Sequence, residues 1–232
     1  MLVTLQEAIG PFSLTDGIAL ALLLASWMLI GFMIEYEGSR RSTHALISDY
    51  RTRWMAEMLK RENRIVDMTI LATLRQGAAF FTSASMIGIG GSVALIGKAE
   101  SLQSLAADLS ADLSAPRVVW EAKLILVVAI MASAFLKFVW SHRLFGYCAV
   151  VLAAVPVDPT HADAPRYAEK AAKLNTYAAR SFNRGLRAMY FALAALAWLL
   201  GAWAMIGATL LTLAVLYRRE FNSQSRAALI DS

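Results

Sequence analysis

One cysteine, Cys148, stands in a chain of 232 residues. A single thiol excludes an internal disulfide and a cysteine-built metal site, and its apolar sequence neighbours suit packing. Histidine is nearly as scarce, with His44, His142 and His161 only. A haem held between membrane helices needs imidazoles at membrane depth. Only His142 adjoins an apolar run, so no haem and no other cofactor is expected. Catalytic signatures are missing as well: there is no His-Glu-x-x-His, no Gly-x-Ser-x-Gly with a downstream acid and histidine, and no Walker loop. Gly88-Ile89-Gly90-Gly91 lies inside an apolar run with no strand before it, so it is not a nucleotide loop. No acid lies deep in an apolar run and no inverted repeat is visible, which excludes the usual layout of a self-contained cation-coupled transporter. No Lys or Arg precedes Arg40. A secretory leader with a basic start is therefore not expected, and the first apolar run reads as an uncleaved span.

What the chain has in excess is apolar surface. Its 58% hydrophobic residues and mean hydropathy of +0.53 exceed the roughly 45–50% of soluble domains. The prediction is an all-α polytopic membrane protein in one domain, with spans at about 17–34, 70–97, 118–140 and 189–217. The 22 basic residues outnumber the 17 acidic ones and flank these runs, as the positive-inside rule requires, so no nucleic-acid partner is invoked. Eight basic residues lie between the first and second spans and seven between the third and fourth. None precedes the first span, two lie between the second and third, and three follow the fourth. Fifteen against five puts the two rich segments in the cytoplasm and both termini outside it.

Those rich segments read as two long basic helical extensions. Ser39–Asp67 runs on without proline into the second span, with Ile47, Tyr50, Trp54, Met58 and Ile65 as an apolar stripe. Asp49 with Arg53 and Glu57 with Arg61 are spaced as i,i+4 pairs. Pro165–Arg187 carries a matching stripe of Tyr167, Ala171, Leu174, Ala178 and Phe182, and is the expected packing partner. Leu102–Leu113 predicts a short amphipathic surface helix, and Ser114 before Pro116 the cap of the next one. Leu144–Val155 is 12 residues, too short to span; it either prolongs the third helix or re-enters the membrane.

Two kinds of candidate site follow. Lys137, Trp140 and Arg143, with Asn183, Arg184 and Arg187, cluster at the cytoplasmic ends of spans three and four. They suit an anion or phospholipid-headgroup pocket, or a ring of interfacial anchors with no ligand. Small residues mark helix-packing faces: Ala84, Gly88 and Ser92 on the second span, and Ala194, Ala197, Gly201, Ala204 and Ala208 on the fourth. A hinge or pore-lining bend is the other reading of the glycines near Gly88.

Several stretches carry a resemblance: Arg53-Trp54-Met55, Arg61-Glu62-Asn63-Arg64-Ile65-Val66-Asp67, Phe80-Phe81-Thr82-Ser83, Phe138-Val139-Trp140-Ser141, Ser181-Phe182-Asn183-Arg184-Gly185-Leu186-Arg187 and Tyr217-Arg218-Arg219-Glu220-Phe221. They are similar to a bacterial membrane-protein family known only as a domain of unknown function, DUF599. The resemblance covers nearly the whole chain and implies a bacterial inner-membrane protein of about four spans. It implies no activity, ligand or catalytic residue. The expectation is a non-enzymatic protein acting by association in the bilayer, as a homo-oligomer or with a heterologous membrane-protein partner. The alternative is an oligomeric channel or transporter for an anion or small solute.

Overall fold

The computed structural model describes residues 11–36, 41–98, 116–158 and 160–230. The regular elements among these are helices: α1 (Leu14–Glu35), α2 (Thr43–Met58), α3 (Ile65–Ile96), α4 (Arg117–Ala153), α5 (Ala164–Leu196), a 3-10 turn (Ala197–Leu200), α6 (Ala202–Phe221) and α7 (Gln224–Ile230). Three of them, α1, α3 and α4, are long and apolar enough to cross a membrane. The expected Leu102–Leu113 helix and its neighbour Ser114 lie outside the described residues.

Local chemistry explains the helix ends. Ser13 and Asp16 form a reciprocal capping box at the start of α1: the Ser13 N–H donates to Asp16 Oδ2 at 3.0 Å, and the Asp16 N–H to Ser13 Oγ at 3.1 Å. Ser42 caps α2, accepting from the Ala45 N–H at 3.2 Å while its own hydroxyl donates to the Ile34 carbonyl at 2.7 Å. The basic stretch does not run unbroken into the second apolar helix as expected. α2 stops at Met58, and α3 begins at Ile65, whose N–H donates to Asn63 Oδ1 at 2.8 Å. A side chain that captures a backbone donor two residues on favours a turn over continued helix. The charge pairs differ in consequence. Asp49 meets Arg41, Glu57 meets Lys60, and Arg61 meets Asp67.

The chain divides into two compact units. The first comprises residues 1–33, 85–133 and 187–217, the second 34–84, 134–186 and 218–232. In the first, Trp27 stacks on Phe191 at 6.2 Å. Trp198 donates its indole N–H to Asp16 Oδ1 at 2.6 Å. The buried Lys123 ammonium lies 5.3 Å from the Trp120 ring and 5.6 Å from the Trp198 ring. Such contacts let a cation sit among apolar neighbours.

In the second unit α4 and α5 pack with a ladder of side-chain donors on backbone carbonyls. Ser181 Oγ donates to the Lys137 carbonyl at 2.8 Å, Ser141 Oγ to Ala178 at 2.8 Å, and Cys148 Sγ to Ala171 at 3.3 Å. Residue numbers rise along one helix as they fall along the other, so the pair is antiparallel. The Leu144–Val155 run prolongs α4 to Ala153 and does not re-enter. It buries Leu144, Phe145, Cys148, Leu152 and Val155 against Ala171, Ala172 and Ala178 of α5 and Met55 and Met58 of α2. The expected pairing of the two basic segments is therefore present. Phe81, Phe138 and Phe182 close the same core, each ring 5.4 Å from the next.

The 189–217 run is not one helix. α5 ends at Leu196, a 3-10 turn follows, and Gly201 takes φ +118° before α6 starts. That conformation is open to glycine and strained for other residues. The seam of Ala197, Gly201 and Ala204 is thus spread over two elements and a break. α5 passes from the second unit to the first between residues 186 and 187, and α6 returns between 217 and 218. The tail shares the second unit with α2: the Thr43 hydroxyl donates to the Glu220 carbonyl at 3.0 Å, and Arg226 Nε to the Arg41 carbonyl at 2.9 Å. These bonds set the C-terminal tail beside the start of the Ser39–Asp67 segment.

Two glycines separate strain from tolerance. A Cβ at Gly185 would come within 2.7–2.9 Å of three atoms of the Phe138 ring, which two other rings hold in place. The helix-propensity gain of Gly→Ala is ~1 kcal/mol, and overpacking costs about 1–3 kcal/mol. Gly185→Ala is expected to destabilise by about 1–2 kcal/mol, seen as a lower unfolding midpoint in detergent. At Gly88 the near atom is the terminal methyl of Met131, at 2.7 Å. A flexible chain end can move, so Gly88→Ala should leave the midpoint unchanged or raised.

Candidate functional site

Polar side chains gather in the second unit where the first turns of α2 meet α5 and the tail. A cavity of about 210 Å³ opens there, lined by Thr43, His44, Arg51, Asn183, Arg219 and Glu220 among others. Its walls come from three distant parts of the chain, locked by hydrogen bonds. The His44 backbone N–H donates to Glu220 Oε2 at 3.1 Å, and Asn183 Nδ2 lies 2.8 Å from His44 Nδ1. Ser42 sets the entry angle of α2, and the α4–α5 ladder sets the turn of α5 on which Asn183 sits.

Arg51 is the unusual charge. Its guanidinium donates to Asn175 Oδ1, an amide, and no carboxylate pairs with it among the described residues. Desolvation by burial draws its pKa below the ordinary arginine value, yet arginine keeps its proton at neutral pH. Asn175 is fully buried, with Nδ2 lacking a partner among the described residues. Arg51 also lines a second groove of about 480 Å³, with Arg61 as its other cation and apolar walls from Ile47, Trp54, Val66, Ile70 and Leu74.

A buried acid supports the α2–α3 turn beside that groove. Asp67 is 0% exposed; its Oδ1 accepts from Trp54 Nε1 at 2.6 Å and from the Arg61 guanidinium. Arg64 donates to the Val155 and Pro156 carbonyls at 2.8 and 2.7 Å, satisfying acceptors freed where α4 ends. Among the described residues no group of three His, Cys, Asp or Glu side chains suits a metal ion.

Over residues 18–225 the chain matches the family model described as protein of unknown function, DUF599. It belongs to that family. No curated protein and no solved structure matches this DUF599 chain.

The site residues expected from the DUF599 sequence have the following surroundings. Lys137 is half-buried and offers its carbonyl to Ser181. Trp140 is half-exposed, and Arg143 reaches along its own helix to the Tyr147 hydroxyl at 2.8 Å. Arg184 forms a bidentate pair with Glu35, whose hydrogen bond is the largest influence raising the arginine pKa. Arg187 is buried in the other unit. Asn183 alone of the six enters the cavity. Of the small residues, Gly88 and Ser92 belong to the first unit and Ala84 to the second. Gly88 faces Met131 within the chain, and Ser92 Oγ donates back to the Gly88 carbonyl at 2.8 Å.

Sequence reasoning missed Arg51, His44, Asn175, Asp67 and Glu220. Two of the five, Asn175 and Asp67, carried a signal. Asn175 interrupts an otherwise apolar face beside Leu174 and Ala178, and Asn63 four residues before Asp67 marks a helix restart.

The Arg61–Asp67 pair is asymmetric, with Arg61 43% exposed and Asp67 0%. Removing the acid leaves an arginine that water can solvate. Removing the arginine leaves a buried carboxylate held only by an indole. Arg61→Ala should therefore destabilise by ~3 kcal/mol and Asp67→Ala by about 1–2 kcal/mol, compared by chemical unfolding in detergent.

Proposed function

We propose that this DUF599 protein is a non-enzymatic accessory component of a bacterial inner-membrane complex, acting by association. The observation that carries the reading is the cavity walled by α2, α5 and the tail. Its donors and acceptors are oriented by their own hydrogen bonds before any partner arrives, and preorganisation of this kind lowers the ordering penalty of binding. In this reading the second unit faces the cytoplasm and receives a heterologous partner segment. The 189–217 run enters and returns as a two-armed hairpin beside three full crossings by α1, α3 and α4. The N-terminus is then outside and the C-terminus inside, and eighteen basic residues share the cytoplasmic face (the eight, the seven and the three of the tail).

A second reading, a channel or transporter for an anion or small solute, is favoured by one observation. Broken helices often mark transport sites, and the Ala197–Gly201 break carries Trp198 beside Asp16 and the buried Lys123.

Two measurements test these assignments. A C-terminal green fluorescent protein fusion is expected to fluoresce, because the fluorophore matures in the cytoplasm; a dark fusion, with an alkaline phosphatase fusion active at the same end, refutes the cytoplasmic C-terminus. Native mass spectrometry of the chromosomally tagged protein in mild detergent is expected to show a stoichiometric foreign subunit. Ser225→Trp, which fills the cavity from its exposed rim, should remove it. A bare homo-oligomer, with anion flux in proteoliposomes that falls in Lys123→Met, would replace association by transport.

A further inference from the structure

We propose that the second groove, between α2 and the first turns of α3, holds one anionic phospholipid with its phosphate on Arg51. This assignment does not depend on the partner cavity. Val66, Ile70 and Leu74 fall four residues apart on α3 and face Ile47, Tyr50 and Trp54 of α2. Val66 is 63% and Ile70 42% exposed. Apolar surface open beside two guanidinium groups is a composite that water alone does not reward, and it matches an acyl chain joined to a phosphate.

Charge selects the headgroup. No acid lines this groove. Arg61 shares its charge with Asp67, whereas Arg51 bonds the Asn175 amide and has no carboxylate partner among the described residues. A net-negative lipid supplies the counter-charge that the protein does not. A zwitterionic lipid brings its own cation and gains less.

Depth agrees. α3 carries no charge from Gln76 to Ile96, and those 21 residues measure about 31 Å, the thickness of bilayer hydrocarbon. Ile70 and Leu74 then stand about 3–9 Å beyond the hydrocarbon edge, within the headgroup layer. The groove therefore opens where phosphates lie, and its apolar wall leads back toward the chains.

The test uses the full-length protein, delipidated in detergent and titrated by native mass spectrometry with dioleoylphosphatidylglycerol or dioleoylphosphatidylcholine. The first phosphatidylglycerol is expected to bind about fivefold tighter than phosphatidylcholine, the effect of one basic residue near a lipid surface. Arg51→Gln should abolish the difference, and Arg166→Gln, an exposed arginine elsewhere on the unit, should keep it. Equal binding of the two lipids, or a preference that survives Arg51→Gln, overturns the proposal. Should Arg51→Gln fail to fold, Ile70→Asp at the exposed wall reads the same site; unchanged phosphatidylglycerol affinity there also overturns it. Glycerol 3-phosphate, which has the phosphate without the chains, should not displace the lipid. Displacement at equal concentration would assign the groove to a soluble phosphate instead.

Discussion

The antiparallel contact between α4 and α5 is the constraint on which the second unit rests. Three side chains, Ser181, Ser141 and Cys148, donate to carbonyls of the facing helix at successive levels. Each bond contributes only about 1 kcal/mol net, less than the apolar cluster around Phe145 and Leu152. Their role is discrimination. A slip of either helix by one residue would break all three bonds at once and leave the serine hydroxyls to bond back along their own helices, the weaker arrangement. With the register fixed, Asn175 and Asn183 are presented on one side of α5, and α2 has a defined surface on which to place Arg51 and His44.

Much of the chain's basic character is then absorbed by structure. Arg64 ties the end of α4 to the α2–α3 turn, Arg61 neutralises a buried acid, Arg184 holds Glu35, and Arg226 fastens the tail to Arg41. Counting positive charges therefore overstates the charge available to a ligand. Arg51 stands apart because its partner is an amide.

The helical class, the apolar runs and the pairing of the two basic segments were legible in the sequence. Each rests on periodicity summed over many residues, as with the Tyr167–Phe182 stripe, whose members all pack on the core. Features decided by one residue were not legible. Gly201 reads as one more small residue in a seam until its backbone conformation is known, and Asn63 reads as one polar residue among charges. Of the residues grouped for the expected pocket, Arg143 is engaged by Tyr147 and Arg184 by Glu35, partners that the grouping by helix end did not include. The first cavity combines α2 with α5 and the tail, which lie more than a hundred residues after it, and no local spacing reveals that.

The break at Gly201 bears on how the chain is made. A segment that leaves the ribosome is judged for membrane insertion largely by its own length and hydrophobicity. The stretches on either side of the break, Met189–Leu200 and Ala202–Tyr217, hold 12 and 16 residues, below the ~17–25 of an autonomous span. Neither qualifies alone, and the turn between them exposes backbone groups that hydrocarbon cannot satisfy. In the hairpin reading proposed above, the two arms enter as one object, and the contacts of Trp198 with Asp16 and Lys123 form once this late-translated segment meets α1 and α4.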